Sequence, residues 1–198
     1  MTIIIQQNNQ AVDLAIKELL VQNVIAVPTD TVYGLAVDAT SCEAVAKLYD
    51  IKKRQQNKPI AIFLPNLQDA KKIFSFSELA DKIAKKYLPG KLTIILPVQN
   101  KAKLAKNLNI NNNTLGFRIV DSFFISKLFT KFDRPLAVTS ANLSGSATAV
   151  SAIEIEQQFS QLAIIIDNQQ NLCNEASTIV EIIKNDFKII RQGQLIIE

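Results

Sequence analysis

The stretch Val24-Ile25-Ala26-Val27-Pro28-Thr29-Asp30-Thr31-Val32-Tyr33-Gly34-Leu35 decides how the rest of the chain is read. Its first part, Val24–Pro28, is a short continuous apolar run, the pattern of a strand buried on both faces. A polar turn follows at once. Outward from it, strand and helix patterns alternate. Thr2–Ile5 reads as a strand and Val12–Gln22 as an amphipathic helix, with Leu14, Ile16, Leu19 and Leu20 near one face. Thr40–Lys53 reads as a helix, because Thr40 followed by Glu43 is a capping-box pattern and Ala44, Leu48 and Ile51 recur at helical spacing. Ile60–Leu64 and Leu92–Pro97 read as strands, with a helix over Ser77–Tyr87 stopped by Pro89-Gly90. Leu115–Val120, Leu136–Thr139, Leu162–Ile166, Ser177–Ile183 and Phe187–Arg191 complete the strands. Ser122–Phe132 and Ala152–Phe159 are further helices. The alternation predicts an α/β (α+β) fold, a single domain over residues 1–198 around a twisted mixed sheet.

Composition narrows the chemistry. An apolar fraction of 48% in 198 residues is enough for a sizeable core, so dominant disorder is excluded. No apolar run approaches the ~18 residues of a membrane helix, so no membrane association is expected. The N-terminus has no basic patch ahead of an apolar stretch, which argues against a secretory signal. There is no histidine, and the cysteines are Cys42 and Cys173 alone. Ser-His-Asp and Cys-His catalysis, zinc fingers and histidine-ligated metals are therefore excluded, and a reducing, cytoplasmic setting is expected. The net charge of +4 weakly favours anionic partners. Lys, Arg, Ser, Thr, Asn, Tyr and backbone groups must carry the function.

Ligands of α/β sheets sit at strand ends, so polar residues that follow apolar runs are informative. Thr29, Asp30, Thr31 and Tyr33 follow the first buried strand; a tight turn with a satisfied Asp is the simpler explanation, but the cluster is richer than a turn needs. Lys52-Lys53-Arg54 suits a helix C-terminus, where cations favour the dipole. Lys58-Pro59 then runs into the strand Ile60–Leu64 and pins this basic loop to the sheet, as a polyphosphate site would need. Arg118 stands in an otherwise apolar strand, and a partly buried arginine wants a carboxylate or phosphate partner. Thr139-Ser140-Ala141-Asn142-Leu143-Ser144-Gly145 ends another buried strand, where it could cap a helix or bind a ligand through hydroxyls and backbone N–H groups. Ser177-Thr178 and Arg191-Gln192-Gly193 are weaker signals of the same kind. Gly90-Lys91-Leu92-Thr93 lacks the glycine and ending of a Walker A loop, and no GxGxxG occurs.

Taken together and in this order, these segments resemble the YrdC family. Pro28–Leu35 matches its PTDTVYGL signature, and Lys52-x-Arg54 with Lys58-Pro59 resembles its basic loop. Pro89-Gly90, Thr114-x-x-x-Arg118, Ser140-Ala141-Asn142-x-Ser144-Gly145, Ser177-Thr178 and Arg191-x-Gly193 also fit, so the likeness spans residues 28 to 193. The resemblance implies an open α/β fold with a basic concave surface. It also implies L-threonylcarbamoyladenylate synthesis, in which L-threonine, bicarbonate and ATP give threonylcarbamoyl-AMP and pyrophosphate. That product would serve modification of tRNA next to the anticodon, with the transfer made by separate threonylcarbamoyl-transferase proteins. The end of the chain just after the Arg191 motif resembles the short bacterial form. By motif position, Thr31, Arg118, Ser140 and Ser177 would hold threonine and its carbamate. Arg54, Lys58, Thr114, Asn142 and Arg191 would hold ATP, and Lys52 would support the phosphates. Arg54 and Lys58, with Mg²⁺ brought by ATP, would neutralise the departing pyrophosphate. Phe63 stands where many members of the family have histidine, Gln55 replaces a proline, and Ala147-Thr148-Ala149 replaces an SPT segment. A solvent-excluding lid is expected, with Asn107–Asn113 or the Arg54–Lys58 loop as candidates.

Two rival readings differ in class. A non-catalytic module could hold RNA on the basic surface, with weak tRNA contact, although no RRM-like stacking motif appears. A carbamoyl-transfer enzyme of hydrogenase maturation contains a YrdC-like domain, but its additional domains and zinc-finger cysteines have no counterpart in these 198 residues.

Overall fold

The computed structural model describes residues 2–108, 113–169 and 175–198. Most of the Asn107–Asn113 segment and Cys173 lie outside the described residues. Ten strands form one mixed sheet: β1 (Ile3–Gln6), β2 (Ile25–Val27), β3 (Gly34–Asp38), β4 (Ala61–Phe63), β5 (Leu92–Pro97), β6 (Thr114–Arg118), β7 (Leu136–Ser140), β8 (Ile164–Asp167), β9 (Thr178–Ile183) and β10 (Asp186–Arg191). Their order across the sheet is β1-β8-β2-β3-β7-β4-β6-β5-β9-β10. Among the described residues six helices flank it: α1 (Asn9–Leu20), α2 (Cys42–Lys52), α3 (Leu67–Ile73), α4 (Glu78–Tyr87), α5 (Phe123–Phe129) and α6 (Ala152–Gln158). The expected α/β fold is present.

Two elements differ from the sequence reading by omission. β3 is a fully buried central strand, paired antiparallel to β2 on one side and to β7 on the other. Its residues Gly34–Asp38 follow the polar segment without a break, so the sequence shows one strand where a hairpin exists. α3 is short, and it is capped by the Asn66 side chain accepting from Asp69 N at 2.9 Å. The cap of α2 is also displaced by one residue. Ser41, not Thr40, accepts from Ala44 N, at 3.2 Å. The amide and hydroxyl of Thr40 both donate to the Asp38 carboxylate, at 2.8 and 2.6 Å, so Thr40 cannot serve as cap.

The period-two alternation of strands sorts the core onto two faces. Ala26, Leu35, Val37, Ile62 and Ala137 point to the face covered by α2, α4 and α6. Ile25, Val27, Ala36, Phe63 and Val138 point to the opposite face, where α1 and α5 pack. The second cluster draws strand residues from β2, β3, β4, β7 and β8, and among the described residues none from β5, β6, β9 or β10. Three of those strands, β5, β6 and β9, send Leu92, Ile94, Leu96, Leu115, Phe117 and Val180 to the first face only. Their alternate residues Thr93, Ile95, Gly116, Arg118, Ile179 and Glu181 therefore lie on a half-sheet with no helix over it. The candidate site opens where that bare half meets the covered one.

Candidate functional site

A cavity of about 300 Å³ opens at the junction of the covered and bare halves of the sheet. Arg54, Arg118 and Arg191 all line it, although 137 positions of sequence separate the first from the last. Thr31, Ser140 and Ser177 line it as well, so six of the residues singled out in the sequence converge on one place.

Arg118 occupies the centre. It closes β6 and is 5% exposed. Its Nη1 donates to Thr31 Oγ1 at 3.0 Å, and its Nη2 donates to Asp30 Oδ1 at 2.6 Å and to the Gly90 carbonyl at 3.2 Å. Its guanidinium also lies 5.4 Å from the centre of the Phe63 ring, a cation–π contact. Its buried Nε has no partner among the described residues. A satisfied Asp in the turn and a strand arginine in need of a carboxylate are thus two halves of one pair.

Thr29 shapes the turn that delivers Thr31. The Thr29 hydroxyl accepts from the amides of Thr31 and Val32 at 3.1 and 3.2 Å and donates to Val32 O at 2.6 Å. Its single proton is used there, so the 3.0 Å contact between the two threonine hydroxyls has Thr31 as donor. On the bare strands, Thr93 and Ser177 share a 2.8 Å hydroxyl contact. Arg191 grips Ser177 from β10: Nε and Nη2 donate to its carbonyl at 3.0 and 2.8 Å, and Nη2 also donates to its hydroxyl at 3.2 Å. Gly193 is required next to this grip. A Cβ there would sit 2.3 Å from Ala176 O and 2.7 Å from Thr178 N.

The basic loop folds back on itself. Arg54 Nε donates to Lys58 O at 3.2 Å and Nη2 donates to Pro59 O at 2.9 Å, which sets the guanidinium against the cavity wall. Lys58 itself is exposed at the rim, beside the wall residue Pro59, and is not part of the lining. Lys52 and Asn142 lie behind the wall. Lys52 is 2% exposed, and its ammonium donates to Asn142 Oδ1 at 2.8 Å, to Asn142 O at 3.0 Å and to Ser140 O. Asn142 in turn accepts from the Ser140 hydroxyl at 2.7 Å and donates to Ser146 O at 2.6 Å. Thr114 shares the bare face with Arg118 but starts the strand that Arg118 ends, about 13 Å away at strand spacing.

The electrostatics are one-sided. Among the described residues, the lining contains three guanidinium groups and no carboxylate. Desolvation lowers the pKa of Arg54, Arg118 and Arg191; the nearby Arg118 pushes Arg191 further down, while Asp30 opposes the shift at Arg118. Desolvation, aided by Arg54, brings Lys52 from 10.5 to about 7. Asp30 balances Arg118, whereas the shifts of Arg54, Arg191 and Lys52 mark positive charge with no carboxylate against it among the described residues. The site is therefore suited to an anion with polar groups that meet hydroxyls. It offers no imidazole and no carboxylate base, so it can position and neutralise rather than relay protons. Among the described residues, no group of three Asp, Glu or Cys side chains could hold a metal ion.

Sequence reasoning passed over Thr93, and it noted Asp30 and Tyr33 in the turn without giving either a partner. Thr93 is the hydroxyl residue of β5 on the bare face, diagonal to Gly116, whose added Cβ would meet the Thr93 methyl at 2.9 Å. That signal was present in the alternation of Leu92, Thr93 and Ile94. Tyr33 is fully buried and its hydroxyl donates to Asn168 Oδ1 at 2.6 Å, a partner 135 residues away.

A family model described as "Telomere recombination" (Sua5_yciO_yrdC) matches residues 18–193. A threonylcarbamoyl-AMP synthase of Bos taurus is 35% identical over 191 residues, which cover 93% of this chain and 68% of that protein. The threonylcarbamoyl-AMP synthase of Wigglesworthia glossinidia brevipalpis is 32% identical, with 90% of this chain and 91% of that protein covered. A solved structure of Pyrococcus abyssi Sua5 superposes with a TM-score of 0.91 at 26% identity, over 98% of this chain and 61% of the longer one. The same P. abyssi protein has been crystallised with L-threonine.

Proposed function

The chain belongs to the Sua5/YciO/YrdC family, and from that premise we propose that it is a threonylcarbamoyl-AMP synthase, a nucleotidyl-transferring enzyme. L-Threonine, bicarbonate and ATP are its substrates, and threonylcarbamoyl-AMP and pyrophosphate its products. The observation that carries the proposal is the convergence of Arg54, Arg118 and Arg191 on one hydroxyl-lined cavity without a carboxylate.

In the step proposed, a carbamate oxygen of N-carboxythreonine attacks the α-phosphorus of ATP. A new P–O bond forms, the bond to the bridging oxygen of pyrophosphate breaks, and the electron pair leaves with pyrophosphate. Such chemistry needs alignment and charge neutralisation more than proton relay, so the absence of histidine is no obstacle. Arg118, with its unpartnered Nε, takes the threonine carboxylate, flanked by Thr31, Ser140 and Ser177. Arg54 and Arg191 face the phosphates, and Lys58 lies at the rim where the pyrophosphate departs. A cavity of about 300 Å³ is at the small end of ligand sites. The rest of the nucleotide then extends over the bare strands toward Thr114. Lys52 and Asn142 hold the wall rather than the substrate. Mg²⁺ enters as part of the ATP substrate, since the lining has no carboxylate to keep it. The product is handed to a threonylcarbamoyl-transferase acting on tRNA.

Purified protein is mixed with ATP, bicarbonate and L-threonine, and pyrophosphate and the adenylate are measured. Threonine-dependent release of both is expected. Serine should be used less well, by ~1–3 kcal/mol in kcat/KM, the worth of one methyl in a pocket. No threonine-dependent pyrophosphate, together with RNA binding that falls steeply with salt, would favour the binding-module reading instead.

A further inference from the structure

Lys52, at 2% exposure, is the most deeply buried cation among the described residues, and none of them offers it a carboxylate partner. An ammonium has three N–H donors. All three are committed, to Ser140 O, Asn142 O and Asn142 Oδ1, with the Ser140 hydroxyl a longer contact at 3.4 Å. The backbone carbonyl of Lys52 accepts a further bond, from Ser144 N at 3.1 Å. One residue at the end of α2 therefore ties down the whole segment that presents Ser140 to the cavity.

We propose that Lys52 is a positioning residue that acts as a proton-dependent latch: its ammonium holds the Ser140–Asn142 wall in binding shape, and an anion in the cavity keeps that proton in place. The geometry gives the reason. A neutral amine has two N–H groups and a lone pair, so it must turn the lone pair toward one of three oxygens now holding a proton. One of the three bonds is then lost and the wall loosens. The charged form is costly in the free protein, because burial and Arg54 both act against it and bring it to about 7. No compensating charge stands nearby. The segment Ser140–Ser146 packed against it has no ionisable side chain, and Asp50 and Lys53 on its own helix turn are exposed. Anionic substrate supplies the missing negative charge, and by linkage its binding must draw a proton onto Lys52. This rests on the anion-binding reading of the cavity given above.

The test is calorimetric titration of inorganic pyrophosphate into the full-length protein at pH 8, in two buffers of different ionisation enthalpy. Wild type is expected to take up close to one proton more than Lys52→Met or Lys52→Arg. Between pH 7 and 9 the affinity of wild type should fall about tenfold or more relative to Lys52→Arg, whose guanidinium does not titrate. The same proton uptake in wild type and both variants overturns the latch. NMR of the lysine side chains provides a readout that does not depend on the folding of a variant. Lys52 should titrate near neutrality in the free protein and well above it with pyrophosphate, whereas a midpoint near 10 in the free protein overturns the proposal. Proton-linked pyrophosphate binding without threonine-dependent turnover would leave the latch standing and remove the enzyme assignment. Turnover with no linked proton would do the reverse.

Discussion

Removing Asp30 is expected to destabilise the protein far more than a turn residue should. Arg118 and Asp30 form an ion pair at 2.6 Å, with side chains 6% and 7% exposed. Asp30→Ala leaves the guanidinium with only neutral acceptors, Thr31 Oγ1 and the Gly90 carbonyl. Breaking a buried pair by deleting one partner costs ~3–5 kcal/mol, mostly as uncompensated charge. For a protein of this length each kcal/mol lowers Tm by about 2–4 °C. Arg118 lines an open cavity, so water relieves part of the penalty and the lower end of the resulting range applies, a loss of about 6–10 °C.

The reasoning is checked by a thermal-unfolding cycle of wild type, Asp30→Ala, Arg118→Met and the double variant at pH 7. If uncompensated charge is the cause, Arg118→Met removes the reason for the penalty. The double variant should then be no less stable than Asp30→Ala. A drop below about 3 °C for Asp30→Ala would show that the pair contributes little. Additive losses in the double variant would show that the two residues act independently, and would refute the pairing as the source of the effect.

Arg54→Ala should lower adenylate formation at least tenfold, since loss of one charge-stabilising group typically costs a few kcal/mol in the transition state; near-normal pyrophosphate release would remove Arg54 from that role. Gly193→Ala must push backbone away, with Ala176 O only 2.3 Å from the new Cβ. It should cost about 1–3 kcal/mol in urea unfolding and raise KM for threonine by dislodging Ser177. The stability of Lys52→Met relative to wild type should depend on pH in a defined direction. The folded pKa, about 7, lies below the ordinary 10.5, so the unfolded chain binds more protons between those values. Wild type should therefore gain on the variant as pH rises through that window, by up to ~1.4 kcal/mol per pH unit. A flat difference between pH 7 and 10 in denaturant titrations would contradict it.

The parts of the site legible in the sequence are those whose chemistry is unusual for their position. Arg118 in an apolar strand and the crowded turn Thr29–Tyr33 both break the local pattern, and both prove to be at the centre. The pairing of Arg118 with Asp30 was not legible, because the partners are 88 residues apart and meet only through the sheet order. Lys52 is the clearest misreading. As one of three consecutive cations at a helix end it looks solvated or phosphate-facing, yet the left-handed residue Lys53, at φ 51°, ends α2 there and leaves Lys52 on the buried side. Which half of the sheet stays bare is likewise non-local. It follows from α1 and α5 both covering the other half, and the strands themselves mark it only at polar positions such as Thr93 and Arg118.

The placement of positive charge explains why the site sits where it does. A covered sheet face would impose the full desolvation penalty on each guanidinium, whereas a solvent-open surface would screen them from one another and from substrate. At the border of the bare half-sheet, Arg118 is buried and balanced by Asp30, while Arg54 and Arg191 keep partial access to water. The apolar walls, Phe63 and Val138 among them, keep the local dielectric low enough for the charges to act strongly on a bound anion. The free protein carries the cost as lowered pKa values and as a buried, unbalanced ammonium. An anionic ligand relieves all of them together. Binding energy and fold stability are thus coupled through the same four cations, so variants that neutralise Arg54, Arg191 or Lys52 should weaken ligand-induced stabilisation even where they leave the free fold intact.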